Sequence, residues 1–309
     1  MQKFYSHGKL LLTGEYVVLD GATALALPTK FGQGMEAQPI DKQEIYWKSY
    51  DNKGKLWFEE HFLLKDVLSK DVSAFQPTSE KEKVSKMLFL TLHSAAQMKP
   101  GFFSEEKGFE ITTKTDFPLD WGLGTSSTLI VNLSKWLEID AYQLLKESFG
   151  GSGYDIAVAL HERAITYKLL KDSRSVLTTS FNPEFKDRLF FVHLNQKQNS
   201  RNSIEHYRAQ PQEDLHTNIE KITSLTHKII SCTNLLEFEL LLEIHENIIS
   251  QVTGLKKVKS ELFPDYKGAV KSLGGWGGDF ILATGTKKEQ QYFKNKGYET
   301  IIDYKDMIL

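Results

Sequence analysis

Four short segments of this chain carry residue types that could do chemistry together. The densest is Pro118-Leu-Asp-Trp-Gly-Leu-Gly-Thr-Ser-Ser-Thr128. Leu129, Leu133, Trp136 and Leu137 follow it at helical spacing, which places Gly122, Leu123, Gly124, Thr125, Ser126 and Ser127 at a helix N-terminus. The first backbone N–H groups of a helix lack partners within it and the dipole there is positive, so the position suits a polyphosphate. Glycines let the backbone approach an anion closely. The hydroxyls can cap the helix, donate to phosphate oxygens or offer an oxygen to Mg²⁺. This is not the common P-loop, because no Gly-Lys-Ser/Thr follows the glycines. Taken alone, a glycine turn closed by a Ser or Thr cap accounts for the segment at least as well.

The other three segments are weaker singly. Gly8-Lys9 and Gly14-Glu15-Tyr16 lie in an apolar N-terminal stretch, where Lys9 could be a surface lysine at a strand start and Glu15 a charge on a hairpin rim. Gly150-Gly-Ser-Gly-Tyr-Asp-Ile-Ala157 puts Asp155 just ahead of an apolar run. A carboxylate there can accept a hydroxyl proton and align the oxygen for attack, or simply place a favourable negative charge in the first turn of a helix. Ser272-Leu-Gly-Gly-Trp-Gly-Gly-Asp-Phe280 sets four glycines before a strand, so that the backbone can approach another segment or a ligand.

These segments need elements to position them. Leu10–Leu12 and Val17–Leu19 read as strands, and Asp20-Gly21 between apolar runs reads as a hairpin turn. Residues 41–65 alternate as antiparallel strand around a turn at Asn52-Lys53-Gly54. Helices are expected over Glu80–Met98, after the glycine loop and after Gly153. Strands are expected over Phe109–Thr113 and 187–194. Glu213–Val252 reads as two helices broken near Cys232–Asn234, and Glu261–Leu273 as another. A strand (Phe280–Ala283), a helix (Lys287–Lys296) and a strand (Glu299–Tyr304) close the chain. Interleaved strands and helices with frequent hairpin turns argue an α+β fold. The least element-like stretch, Asp172–Phe185, suggests domains of residues 1–178 and 179–309.

Taken in order, the four segments resemble the GHMP kinases, named for galactokinase, homoserine, mevalonate and phosphomevalonate kinases. GKLLLTGEYVVLDG is similar to their first motif, PxxxGLGTSST to their second and SLGGWGGD to their late glycine loop, while GSGYD is similar to a segment of the mevalonate-type branch. The resemblance implies a two-domain fold, an N-terminal βα domain followed by a C-terminal ferredoxin-like domain. It implies an ATP-dependent phosphotransferase using Mg²⁺ and acting on a small molecule, mevalonate or a related isoprenoid-pathway alcohol, with 5-phosphomevalonate as the alternative acceptor. It implies Asp155 as catalytic base, Lys9 beside the acceptor oxygen and Ser126 on Mg²⁺. Gly122–Ser127 would hold the nucleotide phosphates, with Gly275, Gly277 and Gly278 closing on them. Glu15, Gly153 and Tyr154 would lie at the acceptor. Lys197 and Arg201, in a loop similar to the family's acceptor loop, would meet a phosphorylated one or else form a solvated surface. Mevalonate kinases carry a glutamate about eleven residues before the base; here Leu144 stands there and Glu147 is the nearest candidate for a second metal ligand. Trp276 stands where a small residue is usual. Non-catalytic ligand sensors of this fold would be expected to lack the base or the lysine.

The bulk numbers agree with such a reading. Of 309 residues 40% are hydrophobic and 25% charged, as in ordinary globular proteins. A net charge of -2 gives no basic field for nucleic acid. Cys232 is the one cysteine, which excludes an intramolecular disulfide and a thiolate metal cage and leaves a buried structural thiol. No apolar run approaches the roughly 20 residues that span a bilayer. The N-terminal apolar stretches are broken by Thr13-Gly14-Glu15, unlike a signal peptide, so the cytoplasm is the expected location. A homodimer is compatible with all of this.

Overall fold

A computed structural model of the chain describes residues 1–69, 79–104, 107–198, 200–211 and 214–309, the side chains of Ser200 and Arg201 excepted. The chain forms two compact units. One comprises residues 1–8, 31–119 and 124–160, the other residues 9–30, 120–123 and 161–309. Strands β1 (Gln2–Leu11) and β2 (Ala24–Ile40) run through both.

In the first unit, Gln33–Ile40 of β2 pairs antiparallel with β5 (Gly108–Thr115). Beside β5, in parallel, runs β3 (Glu44–Tyr50), which forms a hairpin with β4 (Leu56–Leu63) around the expected Asn52–Gly54 turn. Burial alternates along β3, with Ile45, Trp47 and Ser49 inside, as the residue pattern requires. Helices α1 (Leu64–Val67), α2 (Glu80–Met98), α3 (Thr125–Leu137), α4 (Ala141–Ser148) and α5 (Tyr154–His161) complete the unit. α2 spans the expected residues because Ser79 caps it, accepting the Glu82 N–H at 3.1 Å, and Leu88, Leu92, Ala95 and Ala96 form its buried stripe. One core holds Met35, Trp47 and Ile111 of the sheet with Leu92, Leu133, Trp136, Leu144 and Ile156 of the helices.

In the second unit, Ala24–Ala26 of β2 pairs with β6 (Ile165–Leu169), and β6 with β7 (Arg174–Thr178). A separate antiparallel sheet contains β8 (Leu189–His193), β9 (Val270–Ser272), β10 (Phe280–Thr284) and β11 (Ile301–Asp303) in the order β11-β8-β10-β9. Among the described residues four helices separate β8 from β9: α6 (Ser200–Arg208), α7 (Leu215–Ser231), α8 (Leu235–Thr253) and α9 (Val258–Leu262). One helix, α10 (Lys287–Asn295), separates β10 from β11, and α11 (Tyr304–Met307) follows. That order and connectivity are those of the expected ferredoxin-like element. β8 is buried along its whole length, which explains its unbroken apolar sequence. Cys232 is buried, at the break between α7 and α8.

Four expectations fail locally. Val17–Leu19 is not strand: Val17–Asp20 forms a 3₁₀ turn, and Gly21 ends it in the left-handed region at φ 93°. The Asp-Gly chemistry is that of a turn, but here it serves as a helix cap rather than a hairpin. The helix expected over Glu261–Leu273 ends at Leu262, because Pro264 cannot continue it, and β9 follows. Residues 197–201 are not all loop, since α6 begins at Ser200. β7 lies inside the stretch read as least element-like; it is an edge strand, largely exposed, so no apolar alternation marks it. Among the described residues no helix is long and apolar enough to cross a membrane.

Candidate active site

In the first unit the glycine loop opens α3 as the residue spacing requires. Gly124 is its N-cap, left-handed at φ 90°, and no side chain caps the helix. No N-cap side chain therefore closes the first-turn N–H groups, and a helix start of this kind suits an anion. The hydroxyls divide sharply. Ser127 is buried and donates to Gly124 O at 2.9 Å, and Thr128 donates to Gln33 Oε1 at 2.8 Å, so both face inward. Thr125 is half-buried and Ser126 exposed, which leaves Ser126 on the solvent-accessible side of the turn.

Asp155 lies in the first turn of α5, half-buried, with Oδ1 accepting the Ile156 N–H at 3.0 Å. Before it, buried Gly153 sits at φ 83°, and Tyr154 is half-buried. Glu147 is exposed on α4 and accepts from Gln143 Nε2 at 2.7 Å, whereas Leu144 points into the core. Among the described residues no group of three His, Cys, Asp or Glu side chains could hold a metal ion. A cation here would have to be shared with a ligand's own oxygens.

The second unit brings Lys9, Gly122 and the late glycine loop together. The Lys9 N–H donates to Leu123 O at 3.0 Å, and its Nζ donates to Gly122 O at 3.3 Å. Gly122 sits at φ 67°, and a Cβ placed there would come within 2.5 Å of Asp279 Cγ. What approaches this glycine is thus the Asp279 carboxylate, and any side chain at residue 122 would collide with it. Gly275 and Gly278 serve a similar purpose toward the segment after β8. Added Cβ atoms would stand 2.8 Å from Gln198 Cβ and 2.7 Å from Gln198 Cγ, respectively. Gly277 is exposed, and Ser203 Oγ donates to Gly275 O at 3.3 Å. Trp276 is buried at φ 54°. Lys197 is exposed, and its charge faces Asp279. The side chain of Arg201 lies outside the described residues.

Glu15 is not a rim charge. It is 1% exposed and paired with Lys271 Nζ, which also donates to Ser272 O at 2.6 Å and lies 3.2 Å from Glu246 Oε1. Glu246 in turn accepts the Ser272 N–H at 3.1 Å and its hydroxyl at 3.0 Å. His245 Nε2 accepts the Gly14 N–H at 3.1 Å, which places the proton of its neutral ring on Nδ1. Burial, reinforced by the Lys271 charge, keeps that imidazole well below its usual range. Two carboxylates share one ammonium here. Burial pushes Glu15 up to about 7 and raises Glu246 too, against the opposing pull of Lys271. The cluster ties the Gly14–Tyr16 turn to Ser272, where the late glycine loop begins. Lys271, His245 and Glu246 are not legible in the sequence, since a Lys before a Ser and a His-Glu pair in a helix carry no local signal. Asp279 was visible only as the end of a motif.

No protein-family profile matches the chain, and no curated protein is significantly similar to it in sequence. Solved structures are similar in fold. A Methanococcus jannaschii mevalonate kinase superposes with a TM-score of 0.70 at 13% identity, covering 97% of this chain and 96% of that one. A Streptococcus pneumoniae phosphomevalonate kinase, solved with phosphomevalonate and AMPPNP, gives 0.68 at 16% identity, covering 97% and 99%. A Lactococcus lactis galactokinase, solved with galactose, gives 0.62 at 14% identity, covering 98% and 93%. With its four motif segments, the open N-terminus of α3 and the β11-β8-β10-β9 sheet, this chain has the α+β fold of the GHMP kinases over nearly its whole length.

Proposed function

We propose that this protein is an ATP-dependent GHMP kinase that phosphorylates a small alcohol, mevalonate or a related isoprenoid-pathway compound. The observation that carries the reading is the uncapped N-terminus of α3 behind Gly122-Leu-Gly124, in a chain with the fold of these kinases. The residues fit the nucleotide: backbone amides of Gly122 to Ser127 would hold its phosphates, and the exposed Ser126 hydroxyl would reach its Mg²⁺. Bound as the Mg²⁺ complex, ATP supplies the γ-phosphoryl group. Asp155 accepts the acceptor hydroxyl's proton and orients the oxygen for in-line attack, while Lys9 stabilises the charge on that oxygen. Glu147 is the remaining candidate for a second metal ligand. The presence of both Asp155 and Lys9 supports an enzyme over a ligand sensor of the same fold.

Ser126→Ala is expected to weaken Mg²⁺-dependent turnover more than binding of metal-free ATP, because a hydroxyl is lost while the backbone amides remain. Turnover across a Mg²⁺ titration and calorimetry without metal separate the two. A larger loss in Thr125→Ala would move the metal contact one residue back.

For the acceptor, kcat/KM measured by ADP release should favour mevalonate or 5-phosphomevalonate over galactose and homoserine. Gly14-Glu15-Tyr16, the GSGYD segment and Asp279 support the isoprenoid side, and the sparse basic residues near Lys197 favour the unphosphorylated alcohol. A clear preference for galactose or homoserine would remove the isoprenoid assignment and leave the kinase standing.

A further inference from the structure

We propose that Asp279 is a positioning residue for Lys9, its carboxylate filling the space left by the missing side chain of Gly122 and holding the ammonium against the loop. The inference rests on the kinase reading above. Both groups meet the same glycine, Lys9 through the Gly122 carbonyl at 3.3 Å and Asp279 through the face where a Cβ would lie 2.5 Å from its Cγ.

The carboxylate is fixed from several directions. Asp279 is held at φ 52°, a strained conformation for a residue with a side chain. Its N–H donates to Gln196 O at 2.6 Å, and its carbonyl accepts the Leu194 N–H at 2.8 Å. Its Oδ1 accepts the Gln198 N–H at 3.1 Å, and Gly274 leaves room on another side, where a Cβ would lie 3.1 Å from Oδ2.

The charged and titratable groups facing Asp279 are Lys9 from β1, Lys197 after β8, His193 at the end of β8, and Tyr16. Lys197 is exposed, so solvent screens it. Lys9 is half-buried and anchored on the same glycine, which makes it the effective partner. Burial raises the Asp279 carboxyl above its usual range, and Lys9 opposes that rise. A mainly buried carboxylate beside a polyphosphate loop is costly as plain packing, where an asparagine would make the same backbone hydrogen bond. Its charge therefore has a use, and Lys9 is the charge it matches.

The test is a double-mutant cycle on the full chain, with kcat and KM taken from ADP release. If the unaltered protein phosphorylates no acceptor, the kinase reading fails before this one is reached. Given activity, Lys9→Met should lower kcat by about 100-fold or more. Asp279→Asn should lower it about tenfold with KM for ATP nearly unchanged. The double variant should be no slower than Lys9→Met, because Asp279 acts through Lys9. Losses that multiply, or an Asp279→Asn enzyme as fast as the original, would overturn the proposal. Should Asp279→Asn fail to fold, the ¹³C titration of the Asp279 carboxyl in Lys9→Met decides. Removing the ammonium should move that titration up by about half a unit or more, and an unmoved titration overturns the proposal.

Discussion

Asp155→Asn is expected to lower kcat at least about a hundredfold while leaving nucleotide affinity largely intact. The asparagine oxygen can still accept the Ile156 N–H that Asp155 accepts at 3.0 Å, so the start of α5 should survive the change. On the proposed mechanism, what disappears is the carboxylate's capacity to take a proton from the acceptor hydroxyl. A purely structural Asp155 would contribute only its charge in the first helical turn, worth about 0.3–1 kcal/mol of stability. The two roles separate cleanly: single-turnover kinetics with ATP affinity measured alongside reads the first, and a melting curve reads the second. Near-normal turnover would remove Asp155 from the mechanism.

Lys271→Met should destabilise the chain by about 3–5 kcal/mol at pH 8, the usual cost of stripping one partner from a buried ionic cluster. Lys271 is 0% exposed and is the ammonium between Glu15 and Glu246. The loss should depend on pH with a definite sign. Glu15 already titrates near 7 in the fold against 4.5 when free, so its contribution is full below the free value and is lost as pH rises through the folded one. Without Lys271 both carboxylates rise further. The variant should therefore lose stability more steeply with pH than the original protein and come closest to it near pH 5, where Glu15 is protonated. Urea denaturation at pH 5 and pH 8 measures this, and Glu15→Gln in the Lys271→Met background should recover part of the pH 8 loss. An equal loss at both pH values would mean that packing of the lysine chain, not charge, is what matters.

Much of the architecture was legible because periodicity and capping are local. The limits of α2 follow from Ser79 and a stripe of Leu and Ala, and those of α7 and α8 from a polar break before the Asn234 cap. α4 carries a local capping signal of the same kind, with Asp140 accepting the Gln143 N–H at 2.7 Å. The 3₁₀ turn at Val17–Asp20 was not legible, since apolar residues before Asp-Gly suit either a hairpin or a capped helical turn.

The sequence by itself determined the order of the Lys9, Gly122–Ser127, Asp155 and late-glycine segments, and it placed the hydroxyl run at the start of a helix. Those properties depend on neighbours a few residues apart. Tertiary structure alone decided that Ser127 turns inward while Ser126 stays exposed, that Glu15 is buried on Lys271, and that Gly122 is a glycine because Asp279 occupies its side-chain space. Glu15 and Lys271 lie 256 residues apart. Burial and charge pairing at that range depend on which surfaces the folded chain removes from water, and no local pattern of residue types encodes them.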